Sequence, residues 1–116
     1  MASDIESKKM CEVIVSALEE KLGENIQIID ISEISVIADY FILVTGKNES
    51  QIRALIDNTE EKMHRAGFEI KQREGSRNSN WILLDYGDVI VHVFDTEGRS
   101  FYNLERIWSD GKLITL

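Results

Sequence analysis

The residues of this chain that could do chemistry crowd into one stretch, Trp81-Ile-Leu-Leu-Asp85-Tyr86-Gly-Asp88-Val-Ile-Val-His92-Val-Phe94. Two carboxylates, an imidazole, a phenol and an indole stand there together. Aspartate with histidine is a pairing used for metal binding and for proton transfer. As a metal centre the set is thin, because Asp85, Asp88 and His92 converge only loosely and no cysteine or second histidine joins them. No metal and no other cofactor is expected. His64 falls in the polar part of a helical segment and reads as a solvated surface residue. Cys11, the single cysteine, lies beside an apolar helical stripe and reads as a buried structural thiol. No serine sits in a glycine elbow and no Gly-rich phosphate loop is present. Thr45-Gly46-Lys47 before a helix start is only a fragment of anion-binding geometry.

The stretch has a second reading, as a hairpin. Glycine at position 87 can take a positive φ, so a two-residue connection Tyr86-Gly87 would set Asp85 opposite Asp88 and Trp81 opposite His92. Side chains alternate along a strand. One face then carries Ile82, Leu84, Val89, Val91 and Val93, a uniform aliphatic layer that must be core. The other carries Trp81, Leu83, Asp85, Asp88, Ile90, His92 and Phe94. Folding does not call for such a mixture, whereas a protein-binding surface often has aromatic anchors among charges that set orientation. The bland alternative is that a helix covers Trp81 and Phe94, with His92 hydrogen-bonded beneath it. Like charges facing each other across a ladder destabilise it, so the two aspartates ask for cationic neighbours, bound metal or a basic partner.

The elements that position this hairpin follow from periodicity. Met10, Ile14, Ala17, Leu18 and Leu22 predict a helix over Asp4 to Leu22, with Ser3 and Glu6 at capping-box spacing and Gly23 as its left-handed terminator. Ile26 to Ile31 and Ala38 to Thr45 read as strands. A second helix runs from a cap at Asn48 to Ala66, with Ile52, Leu55, Ile56, Thr59 and Met63 on one side and Gly67 as its stop. Phe68 to Arg73 reads as a strand, which makes a strand–helix–strand crossover between parallel strands. A polar loop, Glu74 to Asn80, precedes the hairpin strands Trp81 to Asp85 and Asp88 to Asp95. A last helix covers Arg99 to Trp108. The expected fold is α/β, a mixed sheet of about five strands flanked by helices, in one domain.

Composition narrows the function. Acidic residues outnumber basic ones 21 to 13, for a net charge of −8. A nucleic-acid binder needs a basic stripe to neutralise phosphates, so direct nucleic-acid binding is disfavoured and a basic protein partner favoured. The apolar runs are too short to span a membrane. The lone cysteine, and an N-terminus without a basic segment leading into an apolar one, point to the cytoplasm.

The hairpin run from Trp81 to Phe94, followed by Arg99-Ser-Phe-Tyr-Asn-Leu-Glu-Arg-Ile-Trp108, resembles the signature of the ribosomal silencing factor family (RsfS, Iojap-like). Ala38-Asp-Tyr-Phe-Ile-Leu-Val-Thr-Gly46 and the Glu74-Gly75 step resemble it too. The resemblance runs from the first helix to Trp108. It implies a fold similar to nucleotidyltransferases but without their catalytic motif. Thr45-Gly46-Lys47 gives no Gly-Ser step, and the Asp-x-Asp of the next strand is missing, so no enzyme activity is expected. The resemblance further implies a partner, the large ribosomal subunit, met through its basic ribosomal protein fourteen. Joining of the small subunit would be blocked and translation repressed when nutrients are short. It also implies a possible homodimer when free. Carried onto this sequence, the partner-binding residues are Trp81, Asp85, Tyr86, Asp88 and His92, with Tyr102 and Glu105 less securely. A role in ribosome assembly is the alternative within the same family.

Overall fold

The computed structural model describes residues 4–75 and 80–114. The elements run α1 (Asp4–Glu20), β1 (Glu24–Asp30), β2 (Tyr40–Gly46), α2 (Glu49–Arg65), β3 (Gln72–Glu74), β4 (Trp81–Asp85), β5 (Val89–Asp95), α3 (Thr96–Tyr102), α4 (Leu104–Ile107) and β6 (Lys112–Ile114). The strands form one sheet in the order β3-β4-β5-β2-β1-β6, with β2 and β5 parallel and every other neighbouring pair antiparallel. The mixed α/β architecture is the expected one, with six strands rather than five. The sixth, β6, is a three-residue edge along β1, too short to leave a periodic signal.

Two cores sandwich the sheet. On one face α1 and α2 lay Cys11, Ile14, Leu18, Leu55 and Met63 against Ile42, Val44, Ile82, Leu84, Val89, Val91 and Val93. This is the uniform aliphatic layer read from the hairpin. Asn58 joins the two helices, its Nδ2 donating to Ala17 O at 2.8 Å and to Glu20 Oε1 at 3.0 Å. On the other face a smaller core gathers Ile29, Ile31, Phe41, Leu43, Ile90, Phe94 and Leu104. β2 is therefore buried along its whole length, as a strand covered on both faces must be.

The element ends deviate for local reasons. α1 stops at Glu20, and Leu22, not Gly23, takes the left-handed turn, with φ 59°. Gly23 is needed for space: a Cβ there would lie 2.6 Å from Val44 Cγ2. The expected cap at Ser3 lies outside the described residues, as do residues 76–79 of the polar loop. α2 is capped as expected, Asn48 Oδ1 accepting from Gln51 N at 2.8 Å, and Gly67 follows it with φ 90°. β3 is shorter than the expected Phe68–Arg73, because its only ladder partner, β4, ends at Asp85, opposite Gln72. It runs in the same direction as β2, with β4 and β5 lying between them. The expected final helix is two, broken at Asn103 with φ 47° and ψ 55°. α3 also begins earlier, since Asp95 Oδ1 caps it by accepting from Gly98 N at 2.6 Å.

The hairpin register is the correction that matters most. Its turn is Gly87–Asp88, closed by Tyr86 N donating to Val89 O at 3.0 Å, with Gly87 at φ 89°. Asp85 therefore faces Ile90, Leu83 faces His92 and Trp81 faces Phe94. The pairing slides by two positions, an even number, so each side chain keeps its predicted face. Asp85 and Asp88 no longer oppose each other, and the like-charge strain inferred for them is absent.

Candidate functional site

The mixed face of the hairpin is built outward from Phe94 and His92, which β5 holds at the centre of the smaller core. Trp81 lies across them from β4. Its ring stacks on Phe94 with centroids 5.5 Å apart and 28° between planes, and Tyr102 of α3 covers it at 4.7 Å. The indole Nε1–H donates to His92 Nδ1 at 3.0 Å. Trp81 is thus half-buried, sandwiched between a strand and a helix.

His92 is enclosed. Burial pushes its pKa down to about 3, so the imidazole is neutral. Because Nδ1 accepts from the indole, the ring proton sits on Nε2, which is buried without a hydrogen-bond partner among the described residues. Phe41 approaches the same ring edge-on at 4.6 Å. The bland sequence reading holds for this residue: His92 is hydrogen-bonded beneath a covered tryptophan.

The turn end is polar. Asp85 Oδ1 accepts from Gly87 N at 2.7 Å, a local bond that fixes the turn. The Asp88 carbonyl accepts from the amides of Asp39 and Tyr40 at 2.8 and 3.1 Å, tying the hairpin turn to the start of β2. Both aspartates are half-buried.

Three residues nominated as contacts are committed elsewhere. Tyr86 is buried in the opposite core, on the α2 side, where burial raises its pKa with help from Glu60 and Glu69. The alternation that turns Asp85 outward turns Tyr86 inward. His92 is inside, as described. Glu105 accepts from Arg99 Nε at 3.0 Å through Oε2, while its Oε1 is buried without a hydrogen-bond partner among the described residues. Arg99, only 7% exposed, also donates to Thr45 Oγ1 at 3.0 Å and to Asn25 O at 2.8 Å. It joins α3 and α4 to the far end of β2 and to a bulge in β1. Of the nominated residues only Tyr86 and His92 are fully buried, while Trp81, Asp85, Asp88, Tyr102 and Glu105 keep part of their exposure.

Sequence reasoning missed two features. Arg99 was read only as a helix start, because nothing in its neighbourhood announces partners so distant in sequence. The connection between β1 and β2 exposes Ile34, Val36 and Ile37. Three aliphatics in the six residues between the two expected strands, Ser32 to Ile37, were the available signal. Among the described residues no three His, Cys, Asp or Glu side chains gather as metal ligands, and no helix is long and apolar enough to cross a membrane.

The molecule is a small α/β domain that gathers aromatic, imidazole and acidic residues on one half-covered sheet face, with His92 neutral inside. Comparison with known proteins gives its family. Residues 4–116 match the family described as "RsfS: Ribosomal silencing factor during starvation". The chain is 36% identical over 109 residues to the ribosomal silencing factor RsfS of Bacillus subtilis, covering 94% of this chain and 92% of that one. It is 34% identical over 110 residues to the RsfS of Halalkalibacterium halodurans, covering 95% and 94%. A crystal structure of a Chromobacterium violaceum protein superposes with a TM-score of 0.85 at 30% identity, covering 94% of this chain and 90% of the other. The chain belongs to the ribosomal silencing factor family.

Proposed function

We propose that this chain is a non-catalytic, cytoplasmic repressor of translation that binds the large ribosomal subunit through its basic ribosomal protein fourteen. Bound there, it keeps the small subunit from joining when nutrients are short. Free, it pairs with a second copy. Family membership supports the ribosomal assignment. The observation that carries the choice of surface is the sandwich Phe94–Trp81–Tyr102 on the same sheet face as Asp85. An indole already ordered by three neighbours loses little further freedom on docking, so its exposed part is a preorganised anchor. Asp85 and Asp88 supply negative charge about 13 Å along β4, reckoned from the rise per strand residue. Arg or Lys side chains of the partner would meet them there.

The direct test is sedimentation of large and small subunits with this protein and with Trp81→Ala. The wild-type chain should co-migrate with the large subunit and deplete joined ribosomes. Trp81→Ala should weaken binding by about 2 kcal/mol or more. Because truncation also opens the core above His92, Asp85→Ala with Asp88→Ala serves as a second probe. Absence of co-migration at low salt would sink the ribosomal reading.

A further inference from the structure

Residues 31–39 connect β1 to β2 in a loop that is pinned at every turn. Ile31 N donates to Asp39 O at 2.9 Å and closes its base. Ile34 N and Ser35 N donate to Ile31 O at 3.0 and 2.9 Å, and Ser35 Oγ accepts from Ile37 N at 3.0 Å. Asp30 Oδ1 accepts from Ser32 N at 2.9 Å and from Ser32 Oγ at 2.6 Å. All this order holds Ile34, Val36 and Ile37 out in water, Val36 completely. The fold gains nothing from displaying three aliphatics on a fixed loop, and a partner does.

The surroundings say what kind of partner. The amides of Asp39 and Tyr40 bind the Asp88 carbonyl, so the loop stands against the hairpin turn. Asp30, Asp39 and Asp85 lie at this end, and each accepts from hydroxyl or amide groups that neutralise no charge. Among the described residues, cations at this end include Lys112, paired with Glu33 at 3.3 Å, and Lys71, against Gly87. An apolar finger ringed by acids suits a basic protein surface with an apolar recess. It repels anionic lipid and nucleic acid, and a second copy of this chain, whose net charge is −8, would pair through another surface.

We infer that Ile34, Val36 and Ile37 form a second anchor beside the hairpin, inserted into a basic protein partner. The inference rests on the ribosomal reading above and adds a contact to the same docking event. Its test measures binding of the full chain to purified large subunits for wild type, Val36→Ser with Ile37→Ser, Val36→Lys and Val36→Glu. Thermal melts of each variant serve as the folding control. The double serine variant should melt as wild type does and bind at least about tenfold more weakly. Val36→Lys should bind more weakly than Val36→Glu, because the opposing surface is basic. If wild type binds and the double variant binds equally well, the finger is refuted while the ribosomal reading stands. Lysine binding better than glutamate would refute the basic occupant, and so would a defect confined to self-association. Failure of wild type itself to bind would remove the reading on which the finger depends.

Discussion

Replacing Arg99 should destabilise the fold more than any exposed substitution, and the size of the effect can be worked out. Its guanidinium donates to Glu105, Thr45 and the Asn25 carbonyl while almost wholly buried. Arg99→Met keeps much of the stem volume and removes every donor. What is left is a carboxylate, a hydroxyl and a carbonyl that have lost their partner. Breaking a buried ion pair from one side costs about 3–5 kcal/mol. The Glu105 side chain is 31% exposed, so water can reach part of its charge and the low end applies, about 3 kcal/mol. For a 116-residue domain an unfolding entropy of about 2.1 cal/mol/K per residue turns that into a drop in Tm of about 12 °C. Urea unfolding followed by far-UV circular dichroism, with a parallel thermal melt, reads both numbers. Arg99→Met with Glu105→Leu should recover part of the loss, since the stranded charge is then gone. A single variant within about 1 kcal/mol of wild type would refute the keystone role. So would a double variant whose loss is the plain sum of two independent ones.

His92 has a folded pKa lowered to about 3 from 6.5, so folding favours its neutral form. That stability is full above the unfolded value and drains as pH falls below it. Between pH 6.5 and 5 the wild type should lose about 1.5 kcal/mol, a slope that His92→Gln should flatten in urea midpoints taken across that range. Burial, assisted by Asp30, Glu12 and Asp39, pushes the Cys11 thiol up to about 12, so iodoacetamide at pH 8 should leave the native chain unlabelled and label it in urea. Gly23→Ala should cost about 1–3 kcal/mol in the same unfolding assay, because its Cβ would meet the buried Val44 side chain at 2.6 Å. A neutral result would show that β2 yields locally.

The long elements and the inward face of the hairpin were legible because each rests on a repeat that a sequence displays. α2 carries its cap, its stripe and its stop in order, and Ile82, Leu84, Val89, Val91 and Val93 alternate without exception. What escaped was set by single contacts. The turn lies at Gly87–Asp88 and not Tyr86-Gly87, because either pair of dipeptides places glycine acceptably, and only the ladder with β5 chooses between them. Leu22 takes the left-handed position after α1 because Gly23 is held against Val44 and Leu55. A local propensity is outvoted there by the close packing of helix on strand. Arg99 gathers partners from β1 and β2, more than fifty residues away, and no window of sequence contains them.

The mixed face explains why the candidate site was only half readable. A face with both aromatic and acidic residues has two physical solutions, burial under another element or exposure to a partner, and composition alone does not choose. This molecule uses both on one strand pair. At the Phe94 end, α3 supplies Tyr102 and the tryptophan is drawn halfway in, its indole N–H taken by a neutral histidine. At the turn end Asp85 accepts from the Gly87 amide and stays half-buried. The transition falls between Trp81 and Asp85, within a single strand. The residues inside it, His92 and Phe94, can therefore shape a docking surface only by fixing how Trp81 lies. Those at the turn can act on a partner directly, through charge. A substitution at His92 should change affinity only as far as it moves the indole, whereas one at Asp85 should change it with salt.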